Sequence, residues 1–179
     1  MTTARTAITD EELLSLPKDG NKYEVVDGEL VVTPVNYRHE RVVVRVVARL
    51  EHFVAAERLG DVVSSNAMYV LPGGNKRSPD VSFLAAGRIE RNADVVFPEI
   101  APDLAVEVLS PSESPRRMLD KVGEYLQAGV RLVWVIDPVA RRAAVYRSLT
   151  DVRHVDGAGT LDGEDVIPGF RCTLAELLD

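Results

Sequence analysis

One cysteine, Cys172, stands in the whole chain, so no internal disulfide can form and a reducing cytoplasm is the compartment implied. It lies between Arg171 and Thr173 with no base at a readable spacing, which leaves an inert thiol as the default. With only three histidines beside it, the chain has no closed zinc set, and His39-Glu40 lacks the second histidine of a zinc-protease helix. There is no Gly-x-Ser-x-Gly elbow, and Ser110, Ser112 and Ser114 read as turn and cap residues. Gly73-Gly74 near Lys76 has the wrong spacing for a phosphate loop and precedes a strand. No uncharged apolar run is long enough to span a membrane, and nothing resembles a signal peptide. A net charge of -7 argues against a non-specific polyanion binder, although a carboxylate-rich metal site can carry part of it. Neither an internal repeat nor a low-complexity tract is visible. Few aromatics and nearly half apolar residues suit one α/β domain over 1–179, with a flexible tail over 1–7.

After the tail, Thr9-Asp-Glu-Glu12 spells a capping box for a short helix through Leu16, broken by Pro17-Lys-Asp-Gly20. Asp27-Gly28 between Lys22–Asp27 and Glu29–Thr33 predicts a β-hairpin. From Asn36 to Arg58, the β-branched run Val42–Val47 favours a strand. Val42, Val43, Val46, Leu50, Phe53 and Val54 nonetheless repeat at helical spacing for longer than a strand lasts, so the segment reads as a helix. Beside that apolar face run Arg38, Arg41, Arg45, Arg49 and His52, a solvated flank by default, while His39 points into the apolar face. Asp61–Leu71 reads as one strand, Pro72–Lys76 as a turn, and Ser78–Leu84 as a strand with Asp80 near its start. Residues 85–101 form a long irregular excursion. Arg142–Leu149 and Asp151–Val155 read as an antiparallel pair, Gly157–Gly163 as a turn-rich link, and Thr173-x-x-Glu176 as the cap of a last helix.

The chain is organised around Pro102–Pro138. Leu104, Val106 and Val108 fall on one face of a strand, Ala105 and Leu109 on the other, so both faces are apolar. Glu107 therefore needs a cation, strong hydrogen bonds or a proton, since burying a lone carboxylate costs several kcal/mol. A metal ion is the choice that also gives it a function. Ser112 or Ser114 can cap the next helix, with Pro115 at its first position and Gly129 at its end. Met118, Leu119, Val122, Tyr125, Leu126 and Gly129 make its buried stripe, Asp120, Glu124 and Gln127 face water, and Lys121 on the border can reach back over the Glu107 strand. Leu132–Ile136 then returns as a strand, completing a strand-helix-strand unit with a parallel pair.

Asp80 and Glu107 on adjacent strands, with a backbone carbonyl such as that of Val108, are the hard oxygen ligands that Mg²⁺ takes. Such an ion lowers the pKa of a bound water and steadies charge on a phosphodiester. Lys121 would orient the attacking water or stabilise the transition state. An acid pair with a lysine is also a common structural ion pair, so these three residues alone leave both readings open.

The motifs Tyr23-Glu-Val-Val-Asp-Gly-Glu-Leu30, His39 at a helix head, Ser78-Pro-Asp80-Val, Pro102-Asp-Leu-Ala-Val-Glu-Val-Leu-Ser-Pro111, Lys121-x-x-x-Tyr125-x-x-x-Gly-Val130 and Trp134-Val-Ile-Asp-Pro138 resemble the Uma-type restriction endonuclease family, a branch of the PD-(D/E)xK nuclease superfamily. The likeness runs from Ile8 to Leu178. It implies a restriction-endonuclease-like mixed β-sheet core (αβββαβ), with an N-terminal β-hairpin and C-terminal antiparallel strands. It also implies Mg²⁺-dependent hydrolysis of DNA phosphodiester bonds, with Mn²⁺ as a substitute. Asp80 and Glu107 would be metal ligands and Lys121 the catalytic lysine, moved from the strand position where Leu109 stands to the following helix. Glu24 matches the family's acid before the hairpin turn, and His39 and Tyr125 stand as site support. Arg38, Arg41, Arg45, Arg49, Arg116 and Arg117 are the candidate phosphate contacts, and a homodimer is implied.

The chain departs from the family pattern at Arg117, where an acid usually precedes the lysine, and at Leu132-Val133, where an acidic-aromatic pair usually stands. Two rival functions follow: a non-catalytic DNA-binding or protein-interaction module, and a hydrolase of smaller phosphodiesters.

Overall fold

The computed structural model describes residues 7–34, 36–88, 94–110 and 113–179. The tail through Thr6, Ser112 as a cap, and the middle of the 85–101 excursion lie outside the described residues. Thr9 caps α1 (Asp10–Leu14) through the expected capping box. The helix stops before Leu16, with the Ser15 hydroxyl donating to the Glu12 carbonyl at 2.7 Å and Pro17 just beyond. Strands β1 (Lys22–Val26) and β2 (Glu29–Thr33) form the hairpin. Its turn residues Asp27 and Gly28 have φ of 51° and 77°, the left-handed pair that a two-residue loop demands.

Asn36 caps the long α2 (Tyr37–Glu57), whose Val42, Val43, Val46, Leu50 and Val54 are buried. The apolar period thus overrides the β propensity of the valine run. The single strand expected over Asp61–Leu71 is instead β3 (Gly60–Ser64) and β4 (Tyr69–Val70), which join different sheets. A turn divides them, with Ala67 N–H donating to Ser64 O at 3.1 Å, because Ser64-Ser65-Asn66 is turn-forming. Next come β5 (Lys76–Arg77), β6 (Val81–Ala85), β7 (Leu104–Val108), α3 (Pro115–Gln127), β8 (Leu132–Asp137), β9 (Arg142–Tyr146) and β10 (Val152–Asp156). The Gly157–Gly163 link holds a further strand, β11 (Thr160–Asp162), paired with β12 (Arg171–Thr173) ahead of α4 (Leu174–Leu178). Its partner begins only at Arg171, beyond the link itself, so local composition showed only the glycines.

The main sheet runs β10-β9-β8-β7-β6-β3, and the hairpin extends into a second sheet, β2-β1-β5-β4. Within the main sheet β7 and β8 are parallel and the other pairs antiparallel, as the crossover through α3 requires. Leu104, Val106 and Val108 face one core layer with Trp134, α2 and α4; Ala105 faces a second with Met118, Val122 and Tyr125 of α3. Both sides of β7 are therefore covered, and Glu107 lies on the α3 side. On α3 and its end three expectations need correction. Leu119 is exposed, Gly129 ends the helix exposed and in the left-handed region instead of joining the buried stripe, and Glu124 accepts two hydrogen bonds from Arg77, at 2.8 and 2.6 Å, instead of facing water. No helix among the described residues is long and apolar enough to cross a membrane.

Cys172 packs in the α2–α4 layer, and burial, with the Glu176 charge adding to it, pushes its thiol up to about 12. An aromatic disulfide reagent at about pH 8 is expected to leave the native protein unlabelled and to titrate one thiol in urea. Rapid labelling without denaturant would show the thiol to be accessible.

Candidate active site

Four elements converge on the side chain of Glu107. The parallel β7–β8 pair buries it. The β6–β7 pair, with Val81 opposite Val106, brings the preceding Asp80 alongside. The return of α3 over the sheet delivers Lys121 and Tyr125, and β1 closes over the top with Lys22 and Glu24.

The contacts form a closed network. Lys121 Nζ lies 2.8 Å from Glu107 Oε1 and 3.1 Å from Glu24 Oε1. Tyr125 donates its hydroxyl to Glu107 Oε1 at 2.7 Å. Asp80 Oδ2 accepts from the Val108 N–H at 2.7 Å and meets His39 Nε2 at 3.0 Å. Glu24 accepts from the Ser78 N–H at 2.9 Å and pairs with Arg77 at 3.4 Å. Glu24, His39, Asp80, Glu107 and Lys121 are all buried. Glu24 thus belongs to the cluster and is not a solvated strand residue.

Lys22 is one of two residues of the network that sequence reasoning missed. Its Nζ lies between the two central acids, 2.6 Å from Asp80 Oδ1 and 3.3 Å from Glu107 Oε2. The signal was available: Lys22 and Glu24 are two apart on a strand and so share a face. Arg77 was also missed, and its only mark in the sequence is its place just before Ser78-Pro-Asp80. For Val108, the structure records the amide as a donor to Asp80 in addition to any part its carbonyl plays.

The electrostatics follow from burial opposed by pairing. Burial pushes Asp80 upward, but the charge of Lys22 and the hydrogen bond from His39 reverse this and hold it well below the usual carboxylate range. Glu24 is likewise penalised by burial and lowered by Lys121, Lys22 and Arg77. Glu107 goes the other way: burial dominates and raises it, against the pull of Lys121 and Lys22. Burial disfavours the ammonium of Lys22, yet Glu107, Asp80 and Glu24 outweigh it and raise its pKa. Burial also disfavours a charged His39, but Asp80 and Glu40 raise it above its ordinary value.

The enclosed space among Lys22, His39, Asp80, Glu107 and Lys121 is about 10 Å³, at the lower limit for one water. A groove of about 720 Å³ opens beside it, between the hairpin and α3, lined by Lys121, Arg77 and Arg117 together with Glu24, Asp120 and Glu124. A second cleft, lined by Tyr37, Arg38 and His39, lies at the N-terminus of α2.

Of the basic stripe on α2, Arg41 and Arg45 donate to the Leu178 and Leu177 carbonyls at 3.0 and 3.3 Å, and Arg49 pairs with Glu176 at 3.2 Å. These three tie α2 to the end of α4, where unpaired carbonyls attract cations. Arg38 is exposed at the second cleft, and Arg116 and Arg117 are exposed on the first turn of α3.

Among the described residues no three His, Cys, Asp or Glu side chains form a metal-holding group. What converges is a pair of carboxylates, one oxygen of each directed at the same cationic atom. A pair of hard oxygens completed by water suits Mg²⁺, which keeps several of its waters, and does not suit zinc.

A crystal structure described as a putative nuclease belonging to DUF820, from Anabaena variabilis ATCC 29413, matches with a TM-score of 0.82 at 22% identity, covering 96% of this chain and 97% of that one. Part of a DrdV–DNA complex matches with a TM-score of 0.37 at 14% identity, over 65% of this chain and 12% of that one. No curated protein matches the chain. The family model described as "Putative restriction endonuclease", Uma2, matches residues 10–175. With that match over nearly its whole length, and with the fold of a nuclease-like neighbour, the chain belongs to the Uma2 family of restriction-endonuclease-like proteins.

Proposed function

We propose that the protein is a Mg²⁺-dependent endonuclease that hydrolyses DNA phosphodiester bonds, with Mn²⁺ able to replace Mg²⁺. One observation carries the reading: Asp80 Oδ1 and Glu107 Oε2 meet at a single point of positive charge, with the Lys121 ammonium 2.8 Å from the other oxygen of Glu107. Asp80 and Glu107 would hold the divalent ion, with the Val108 carbonyl as a third ligand. The ion would activate water and offset phosphate charge. Lys121, fixed by Glu24 and Glu107, lines the groove and would stabilise negative charge developing on the scissile phosphate. His39 and the Val108 amide pin one oxygen of Asp80, and Tyr125 pins one of Glu107, so each acid keeps its direction. Arg38, Arg116 and Arg117 would contact backbone phosphates, which position the duplex without reading its sequence. The acids around the groove repel a polyanion, so productive binding leans on these arginines and on the cation. A cytoplasmic location agrees with the lone reduced thiol. Pairing of two copies would use an open sheet edge such as β2, where Val32 is exposed.

The test is supercoiled plasmid with Mg²⁺ or Mn²⁺. Metal-dependent nicking is expected, falling about 10²–10³-fold or more in Asp80→Ala and in the shape-preserving Asp80→Asn. Intact plasmid with salt-sensitive DNA binding would replace the enzyme by a binding module. Cleavage of short oligonucleotides or mononucleotide diesters alone would move the substrate to a smaller phosphodiester.

A further inference from the structure

Each of the two central acids divides its oxygens in the same way. Asp80 gives Oδ2 to fixed donors, the Val108 amide and His39, and turns Oδ1 to Lys22. Glu107 gives Oε1 to Lys121 and Tyr125 and turns Oε2 to Lys22. Among the described residues, then, the two remaining oxygens share one partner, a flexible primary ammonium from a strand of the other sheet. Their other oxygens are held by separate donors, so exchange of Lys22 for a different cation leaves those bonds in place. The space around them, about 10 Å³, has no room for Lys22 and a hydrated ion together.

Lys22 also has somewhere to go. Besides the enclosed space it lines an open groove of about 720 Å³ between α1 and β1, where the Glu40 carboxylate and polar Asn21 and Ser78 stand. That groove is the place the ammonium would take on leaving the acids.

We propose that Lys22 is a built-in counter-cation, holding the position that the divalent ion takes and leaving it when the ion binds. This rests on the metal-dependent reading above. Lys22 keeps two buried acids neutralised in the metal-free protein, and as a competitor it weakens metal binding. Removing it trades stability without metal for affinity toward metal, since two carboxylates then converge with no cation between them. Lys121 stays in place in both states, because Glu24 holds it independently.

The experiment uses Mn²⁺ alone, with two readouts on the full chain. Calorimetric titration is expected to show Lys22→Met binding Mn²⁺ about tenfold or more tightly than wild type, with a lower melting temperature without Mn²⁺ and a larger rise on adding it. In wild type, acetylation by acetic anhydride, located by peptide mass spectrometry, is expected to leave Lys22 protected without Mn²⁺ and to label it with Mn²⁺, while Lys121 remains protected. The labelling decides the matter if Lys22→Met does not fold. Wild type that binds Mn²⁺ while Lys22 stays protected overturns this inference and leaves the metal-dependent reading intact. Equal or weaker Mn²⁺ affinity in folded Lys22→Met does the same. No Mn²⁺ binding by either protein removes the metal-dependent reading and this inference together.

Discussion

Lys121→Met is expected to lose both stability and cleavage, because one buried ammonium serves two acids. The substitution keeps the length of the stem and removes the charge. Glu107 then retains Tyr125 and Lys22, and Glu24 retains Arg77 and the Ser78 amide, but both lose their closest cation. Breaking a buried pair from one side costs about 3–5 kcal/mol, which for a chain of this size lowers the melting temperature by roughly 6–20 °C. Cleavage is expected to fall by about 10²–10³-fold, the usual effect of deleting one preorganised donor to a developing charge. Adding Glu107→Gln in the same chain should restore part of the stability and none of the activity, since a neutral amide no longer needs the missing ammonium. Thermal melts and plasmid nicking read the two effects separately. A single variant that melts like wild type would show that Lys121 is not paired in the folded protein; one that nicks like wild type would remove it from the chemistry.

Stability is expected to peak on the mildly acid side of neutrality, with a steep loss toward acid and a shallow one toward alkali. Asp80 and Glu24 are depressed in the folded protein, each by cations that outweigh its burial. Their contribution is complete above the unfolded carboxylate values, about pH 4, and disappears as pH falls through the folded ones. Glu107 opposes them, because burial raises it: its contribution is present at low pH and lost as pH rises through its folded value. Two depressed acids against one raised acid leave a net acid limb. His39, raised by Asp80 against its burial, contributes below its unfolded value of about 6.5 and loses that contribution as pH rises through the folded one, which gives the shallow alkaline limb. Urea midpoints measured from about pH 3 to about pH 8 test this. Asp80→Asn should lower the midpoint near neutrality and reduce the acid limb, and His39→Gln should flatten the alkaline one. An undiminished acid limb in Asp80→Asn would assign the loss to other carboxyls.

Periodicity and capping were enough to place the hairpin, α2, α3, the parallel β7–β8 pair and the closing helix, because each is specified by neighbours along the chain: Asp27-Gly28 by its turn, Ser114 by the amide it caps, Val42 to Val54 by a repeat that only a helix satisfies. The same local logic flagged Glu107 as an acid in an apolar strand, with Asp80 and Lys121 as its candidate partners, and the family motifs added Glu24. Where partners are distant, the sequence was silent. The split between β3 and β4, the pairing of β11 with β12, and the attachment of Arg41 and Arg45 to the end of α4 depend on surfaces that meet only when the layers close. Lys22 belongs to that second group: an ordinary lysine at the start of a hairpin, it becomes the cation between Asp80 and Glu107 only because the small sheet folds down over the large one and shuts out the water that would otherwise have solvated all three.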